Sequence, residues 1–189
     1  GKSSLLRLLA GVEGTEAGKI AWDGEDLTAV PAALVLRVGF LPQEPVFSRR
    51  RVWRVLGLPG PESPADDAVG TLKRIGAWKI LRRMAKGLRE RVGTPTLSRN
   101  EARLLRLGAI LLGSASVWVL DSPFDGLGVA RARRCLDEAL ARLGTRTLVV
   151  GLARPLALER FDRVISLRDG RIDFDGDPRE WKERKLLKK

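Results

Sequence analysis

Three short apolar runs, separated by stretches of helical periodicity, restrict the folds open to this chain. Val38–Leu41, Val117–Leu120 and Thr147–Val150 each have the length and character of a buried strand. Helical patterns stand between them, and the amphipathic stretch Ala130–Leu143 separates the last two. Strands alternating with helices predict an α/β domain with a largely parallel sheet. One block breaks that alternation. From Val52 to Leu112 the pattern is helical, with loops at Gly57–Pro64 and Gly93–Pro95. The expectation is one domain over residues 1–189: a core from 1–48 and 114–176, an inserted helical subdomain at about 50–113, and a basic C-terminal helix over 177–189.

Smaller elements fill in the outline. A helical pattern after Gly1 closes at Gly11. Lys19–Trp22 reads as a strand before an Asp23-Gly24 turn, and Pro31 can start a short helix to Leu36. Arg163–Leu167 and Arg171–Phe174 flank the hairpin turn Asp169-Gly170. Leu104, Leu107 and Leu111 supply an apolar stripe for a helix capped by Ser98, and Asp177 with Pro178 opens the last helix.

The 189 residues include no histidine and one cysteine, Cys135. Imidazole general-base catalysis, a histidine-ligated metal site and an internal disulfide are thereby excluded within this chain. No apolar stretch reaches the roughly 20 residues of a membrane-spanning helix. The formal net charge is +12, with a cluster at Arg49, Arg50 and Arg51 and a basic end from Lys182 to Lys189. Such a balance suits a solvated basic surface, an anionic membrane surface or a nucleic acid.

Two segments carry chemistry. Gly1-Lys2-Ser3-Ser4 matches the second half of the phosphate-binding loop G-x-x-x-x-G-K-[ST], the Walker A pattern. A lysine, a hydroxyl and free N–H groups at a helix start suit phosphate and Mg²⁺. Val117–Leu120 then delivers Asp121 to the carboxyl edge of the sheet, as a Walker B strand does. A carboxylate there can hold Mg²⁺, although an ordinary core strand with a capping Asp would look the same.

Further segments stand in order around these two. Leu41-Pro42-Gln43-Glu44-Pro45 follows the first strand, Leu97-Ser98-Arg99-Asn100-Glu101 opens a helix, and Asp121–Gly128 and Leu167–Ile172 come after. Together they resemble the nucleotide-binding domain of ABC transporters, from Gly1 to about Pro178. The stretch Arg89–Gly93 is similar to that of the exporter-type branch. The resemblance implies a P-loop NTPase-like core binding ATP and Mg²⁺, with hydrolysis coupled to transport. Gly1, Lys2, Ser3, Ser4, Gln43 and Asp121 would contact nucleotide, and Ser3, Gln43 and Asp121 would lie at the metal. Leu97–Glu101 would be the signature offered to a second such domain in a head-to-tail dimer. A transmembrane domain, on the same or another chain, would be the other partner, which places the domain at the cytoplasmic face of the membrane. The pattern begins inside its own phosphate loop, so the expectation is a longer natural chain or a truncated reading frame, the missing region holding an adenine-stacking aromatic and at least one strand.

The departures from the family pattern are informative. Ser122 stands at the catalytic glutamate position, and Leu152 at about the switch-histidine position. Neither is a carboxylate or an imidazole, so no catalytic residue is intact. Arg99, Asn100 and Glu101 replace Gly-Gly-Gln of the signature, and Gly128 stands where the loop after Walker B ends in aspartate. Ser98 and Glu101 also fit a capping box, which needs no ligand. The expectation is ATP binding with hydrolysis weak or lost. Two alternatives stand beside it: a non-catalytic interaction module, and a soluble relative acting on nucleic acid. A divergent enzyme using another base is also open, with Asp125 as the obvious alternative carboxylate, although a turn-forming role also accounts for that residue.

Overall fold

The structure is a computed structural model, and it describes residues 1–26, 37–47, 49–62, 64–93 and 97–187. Its centre is a parallel sheet in the order β3–β6–β7, from β3 (Val38–Leu41), β6 (Val117–Asp121) and β7 (Thr147–Gly151). The registers Val38↔Val117 and Val117↔Thr147 align all three carboxyl ends, so Asp121 lies opposite Gly151. The expected bounds of β3 are met, and β6 and β7 each run one residue further.

The middle strand shows why a continuous apolar run suits a sheet covered on both faces. Val119 points into a small cluster with Leu6 and Ala10. Leu6 lies on α1 (Lys2–Leu9), and Ala10 directly follows it. Trp118 and Leu120 point the other way, into the main core with Leu105, Leu107 and Ile110. Those leucines lie on α5 (Arg99–Leu112), which starts at Ser98 as expected.

The block before α5 is helical with one exception. It contains α2 (Val52–Val55), α3 (Asp66–Ile75) and α4 (Ala77–Arg83), then a 3₁₀ turn at Gly87–Arg89. The exception corrects the all-helical reading: β5 (Arg91–Val92) pairs antiparallel with β4 (Arg50–Arg51). Two-residue strands leave no periodicity to read. The helices share one hydrophobic cluster with the sheet and with α6 (Val129–Ala141), including Leu72, Ile75, Leu105 and Leu136.

Charges reinforce the junction of α3 with α6. Glu138 is only 5% exposed and takes both Arg74 Nε and, at 2.9 Å, Arg74 Nη2. One turn on, Arg142 donates twice to Asp67, at 2.8 and 2.6 Å, and once to the Leu111 carbonyl at 3.2 Å. The buried carboxylate is stabilised because two hydrogen bonds from one guanidinium satisfy it.

The remaining elements are short pairs. β1 (Ala21–Trp22) and β2 (Glu25–Asp26) flank Asp23-Gly24. β8 (Val164–Arg168) and β9 (Arg171–Gly176) flank Asp169-Gly170. All four turn residues have positive φ, between 49° and 86°, as a two-residue turn of this type requires. The chain then enters α7 (Pro178–Leu186), where the Asp177 carboxylate accepts the Arg179 N–H at 2.7 Å. The helix expected over Pro31–Leu36 lies outside the described residues. No helix among the described residues is long and apolar enough to cross a membrane.

Candidate functional site

The carboxyl ends of β6 and β7 meet the first turns of α1. Leu6 packs so closely that a Cβ on Gly151 would lie 2.6 Å from Leu6 Cδ1 and 3.5 Å from Asp121 Oδ1. Gly151 is therefore the contact point of the helix and both strand ends, and a side chain there would have to displace Leu6. Asp121, 2% exposed, has no ion-pair partner among the described residues.

Gly1 caps α1 with no side-chain hydrogen bond to the first-turn N–H groups. Lys2 and Ser4 are exposed and Ser3 is half-buried, and Lys2 has no ion pair among the described residues. Gly1 itself lies against the β8–β9 turn, with an added Cβ 3.7 Å from Gly170 Cα. This arrangement suits an anion: free N–H groups, a helix dipole and an uncommitted ammonium. A buried carboxylate with no cationic partner nearby suits a divalent cation. The residues present thus fit a nucleotide phosphate and its metal.

At the positions of the missing glutamate and histidine, the side chains face the fold. Ser122 is buried, with φ +50, and its amide donates to the Gly151 carbonyl at 2.9 Å. Its hydroxyl donates to Asp121 Oδ1 at 3.3 Å. Leu152 packs against the main core. Asp125 makes the turn expected of it, its amide donating to the Ser122 carbonyl at 3.2 Å. Gly128 caps α6 without a side-chain bond.

At Leu97–Glu101 nearly every polar side chain is engaged within the domain. Ser98 Oγ accepts the Glu101 amide at 3.3 Å, and Glu101 Oε2 accepts the Ser98 amide at 2.9 Å. That is the expected capping box. Glu101 also pairs with Arg83. The Ser98 backbone N–H, then the Ser98 hydroxyl and Arg83, hold the Glu101 carboxyl below its ordinary range against the opposing effect of partial burial. Arg99 reaches Glu44 at 3.2 Å, and Asn100 Nδ2 donates to the Gly126 carbonyl at 3.1 Å. Leu97 packs on the main core.

One residue of this corner escaped sequence reasoning. Arg103 is 4% exposed, with Nη2 donating to the Gln43 carbonyl at 2.9 Å. Its Nη1 donates to Asn100 Oδ1 at 3.1 Å and to the Asp125 carbonyl. It thus joins the loop after β3 to the loop after β6 through the start of α5. The only signal in the sequence is a cation at helical spacing from Asn100 and Leu107, on the face that the apolar stripe buries. The Gln43 side chain is exposed, and it is the Gln43 backbone that is fixed.

The ABC transporter family model matches residues 1–125. The chain belongs to that family. A glutathione/L-cysteine transport system ATP-binding/permease protein of Haemophilus influenzae is 30% identical over 94% of this chain and 31% of its own length. A sulfate/thiosulfate import ATP-binding protein of Caulobacter vibrioides is 34% identical over 94% of this chain and 54% of its own. A high-affinity branched-chain amino acid transport ATP-binding protein of Pseudomonas aeruginosa is 29% identical over 91% and 74%. The chain thus spans from about a third to three quarters of these relatives. Among solved structures, an ATP-bound bacterial Atm1-family ABC exporter matches 98% of this chain and 33% of its own, with TM-score 0.80 at 22% identity. That likeness is one of fold.

Proposed function

We propose that this ABC-family domain binds ATP with Mg²⁺ and couples binding to a membrane transporter while hydrolysing ATP poorly. Gly1, Lys2, Ser3 and Ser4 hold the phosphates, and Asp121 with Ser3 and Gln43 holds the metal. The metal supplies charge neutralisation on the phosphates. Lys2 adds a mobile positive charge, and the first turn of α1 adds directed N–H groups. The partners are a transmembrane domain and a second nucleotide-binding domain at the cytoplasmic face of the membrane. The transporter is of exporter type, on the resemblance around Arg89–Gly93. The core comprises 1–48 and 114–176, and about 50–113 is the helical subdomain. Nucleic acid is not the partner in this reading.

The observation that carries weak hydrolysis is the Ser122 hydroxyl turned onto Asp121 Oδ1. The hydroxyl is spent as a donor to a carboxylate, at a position where a base would have to accept a proton from water. Loss of a general base lowers a rate by about 10²–10⁴-fold. The test is single-turnover ATP hydrolysis by the purified protein with its membrane partner, with and without Ser122→Glu, alongside equilibrium binding of a fluorescent ATP analogue. Tight binding with slow turnover, raised in part by Ser122→Glu, is the expected result. Turnover as fast as in a relative carrying both glutamate and histidine ends the reading. Absent binding would favour the interaction-module alternative.

A further inference from the structure

Several arginines tie one element to another through a carboxylate: Arg74 meets Glu138, Arg142 meets Asp67 and Arg160 meets Asp137. Arg103, on α5, is more deeply buried than any of these and meets no carboxylate among the described residues. Its charge rests on three neutral oxygens from separate places in the chain: the Gln43 carbonyl at 2.9 Å, Asn100 Oδ1 at 3.1 Å and the Asp125 carbonyl. Its Nε is buried with no partner among the described residues. A buried cation cannot exchange a lost partner for water, and a hydrogen bond to a charged group is worth a factor of about ten to a hundred in an equilibrium constant. The guanidinium is planar and rigid, so its donors cannot be re-aimed one at a time. Displacing one of the three oxygens therefore either breaks a bond or turns the plane and draws the other two along.

The loop after β3 is placed to move that plane. Pro42 and Pro45 stiffen the backbone on both sides of Gln43 and Glu44. The Gln43 side chain is exposed while its carbonyl is held. Glu44 adds an ion pair with Arg99 at 3.2 Å, one turn before Arg103 on the same helix. Both side chains of that pair are exposed, so it adds little by itself. On the other side, the Asp125 carbonyl belongs to the loop that starts at Ser122. The next residue, Gly126, packs so tightly on α5 that an added Cβ would lie 2.7 Å from Asn100 Oδ1. The first turn of α5 is thus held between the two loops, with Arg103 bonded to both.

We propose that Arg103 is a positioning residue that carries a displacement of Gln43 to residues 98–101, so that the start of α5 senses whether this domain's own phosphate site is filled. The proposal rests on the nucleotide reading, in which the Gln43 side chain reaches the metal. A ligand that draws in that side chain shifts the carbonyl behind it. Arg103 follows the carbonyl, and Asn100 and the Asp125 loop follow Arg103. The arginine touches no reacting atom and acts only through the groups it holds. Coupling of two sites through such an element is about five- to 150-fold.

The test is amide hydrogen exchange of the purified 189-residue chain, with and without a non-hydrolysable ATP analogue and Mg²⁺, read at Glu101 and Ala102. Their amides donate to Ser98 Oγ and to the Ser98 carbonyl, so their exchange reports opening of the first turn of α5. In the parent the analogue should slow that exchange by about five-fold or more. Arg103→Met should erase the slowing while a titration with a fluorescent ATP analogue still shows binding. An arginine that only stabilised the fold would, when lost, speed exchange equally with and without the analogue and leave the slowing in place. Arg103→Lys keeps the charge without the planar fork and should lose most of the slowing. Arg142→Met removes an arginine that joins α6 to α3 away from these loops, and should lower the thermal midpoint and leave the slowing intact. Parental slowing in Arg103→Met or Arg103→Lys overturns the proposal, as does loss of slowing in Arg142→Met. So does absence of slowing in a parent that binds the analogue. A flat titration in the parent overturns the nucleotide reading, and this proposal with it, so the two failures are distinguishable.

Discussion

The two halves of the candidate site differ in what their side chains already hold. At the start of α1, the first-turn N–H groups carry no side-chain cap and Lys2 has no ion pair among the described residues. At Ser98–Glu101 each side chain has a partner in its own domain: Glu101, Glu44, Gly126 and Ser98 in turn. The first half resembles a site waiting for a ligand, and the second resembles a joint. Bonds made to the fold are not free for a second molecule. The contrast predicts that changes at α1 alter ligand binding and leave stability alone, while changes at the start of α5 do the reverse.

The largest expected effect is on chemistry. ATP turnover should lie about 10²–10⁴-fold below that of a relative with both glutamate and histidine, measured in single-turnover quench experiments. Ser122→Glu should recover part of it, because Leu152 still offers no imidazole. Lys2→Ala comes next. It should weaken ATP-analogue binding by about 10–100-fold, as for loss of a charged hydrogen bond, with an unchanged urea midpoint. A large shift in that midpoint would show that Lys2 holds the fold, and the contrast would break.

Arg103→Met tests the other half. It strands the Gln43 and Asp125 carbonyls, and should cost about 1–3 kcal/mol in urea unfolding with little change in analogue binding. Ser98→Ala removes a cap and should cost about 1 kcal/mol by the same measurement.

The smallest effect is in acid. The Glu101 carboxyl is held below its ordinary range in the folded protein. The stability this gives is complete above the unfolded carboxyl value of about 4.3 and is lost as pH falls through the lower folded value. Unfolding midpoints should therefore show a shallower decline below about pH 4.3 in Glu101→Gln than in the parent. Parallel curves would mean that Glu101 contributes nothing through its charge.

How far the sequence could be read followed the range of the signal. Val38–Leu41 and the capped helix from Ser98 were legible because apolar runs and capping pairs span a few residues. Membership in the family was legible from motif order. The Arg50–Arg51 and Arg91–Val92 pair was not, since two-residue strands built around arginine carry neither alternation nor β-propensity. The Arg103 bonds to Gln43 and Asp125, and the Arg74–Glu138 bond, join positions 22 to 64 apart along the chain. No local pattern announces such partners. At the site, residue types could be assigned to positions, but the inward turn of Ser122 and Asn100 depends on which loops the fold brings together.

The single thiol offers a clock for the molecule's breathing. Cys135 on α6 is fully buried against α3, with Sγ 3.8 Å from the Ile75 carbonyl, and burial pushes its pKa up to about 11. In the closed protein it is both hidden and protonated, so a thiol reagent cannot react with it. Labelling proceeds only when α3 lifts from α6 or the chain opens altogether. Under conditions where the whole chain rarely unfolds, the rate at which an alkylating reagent modifies this protein therefore counts the openings of α3 from α6. With no second cysteine in the sequence, every event reports from that one seam. ATP that tightens the seam would slow the clock, and ATP that loosens it would speed it.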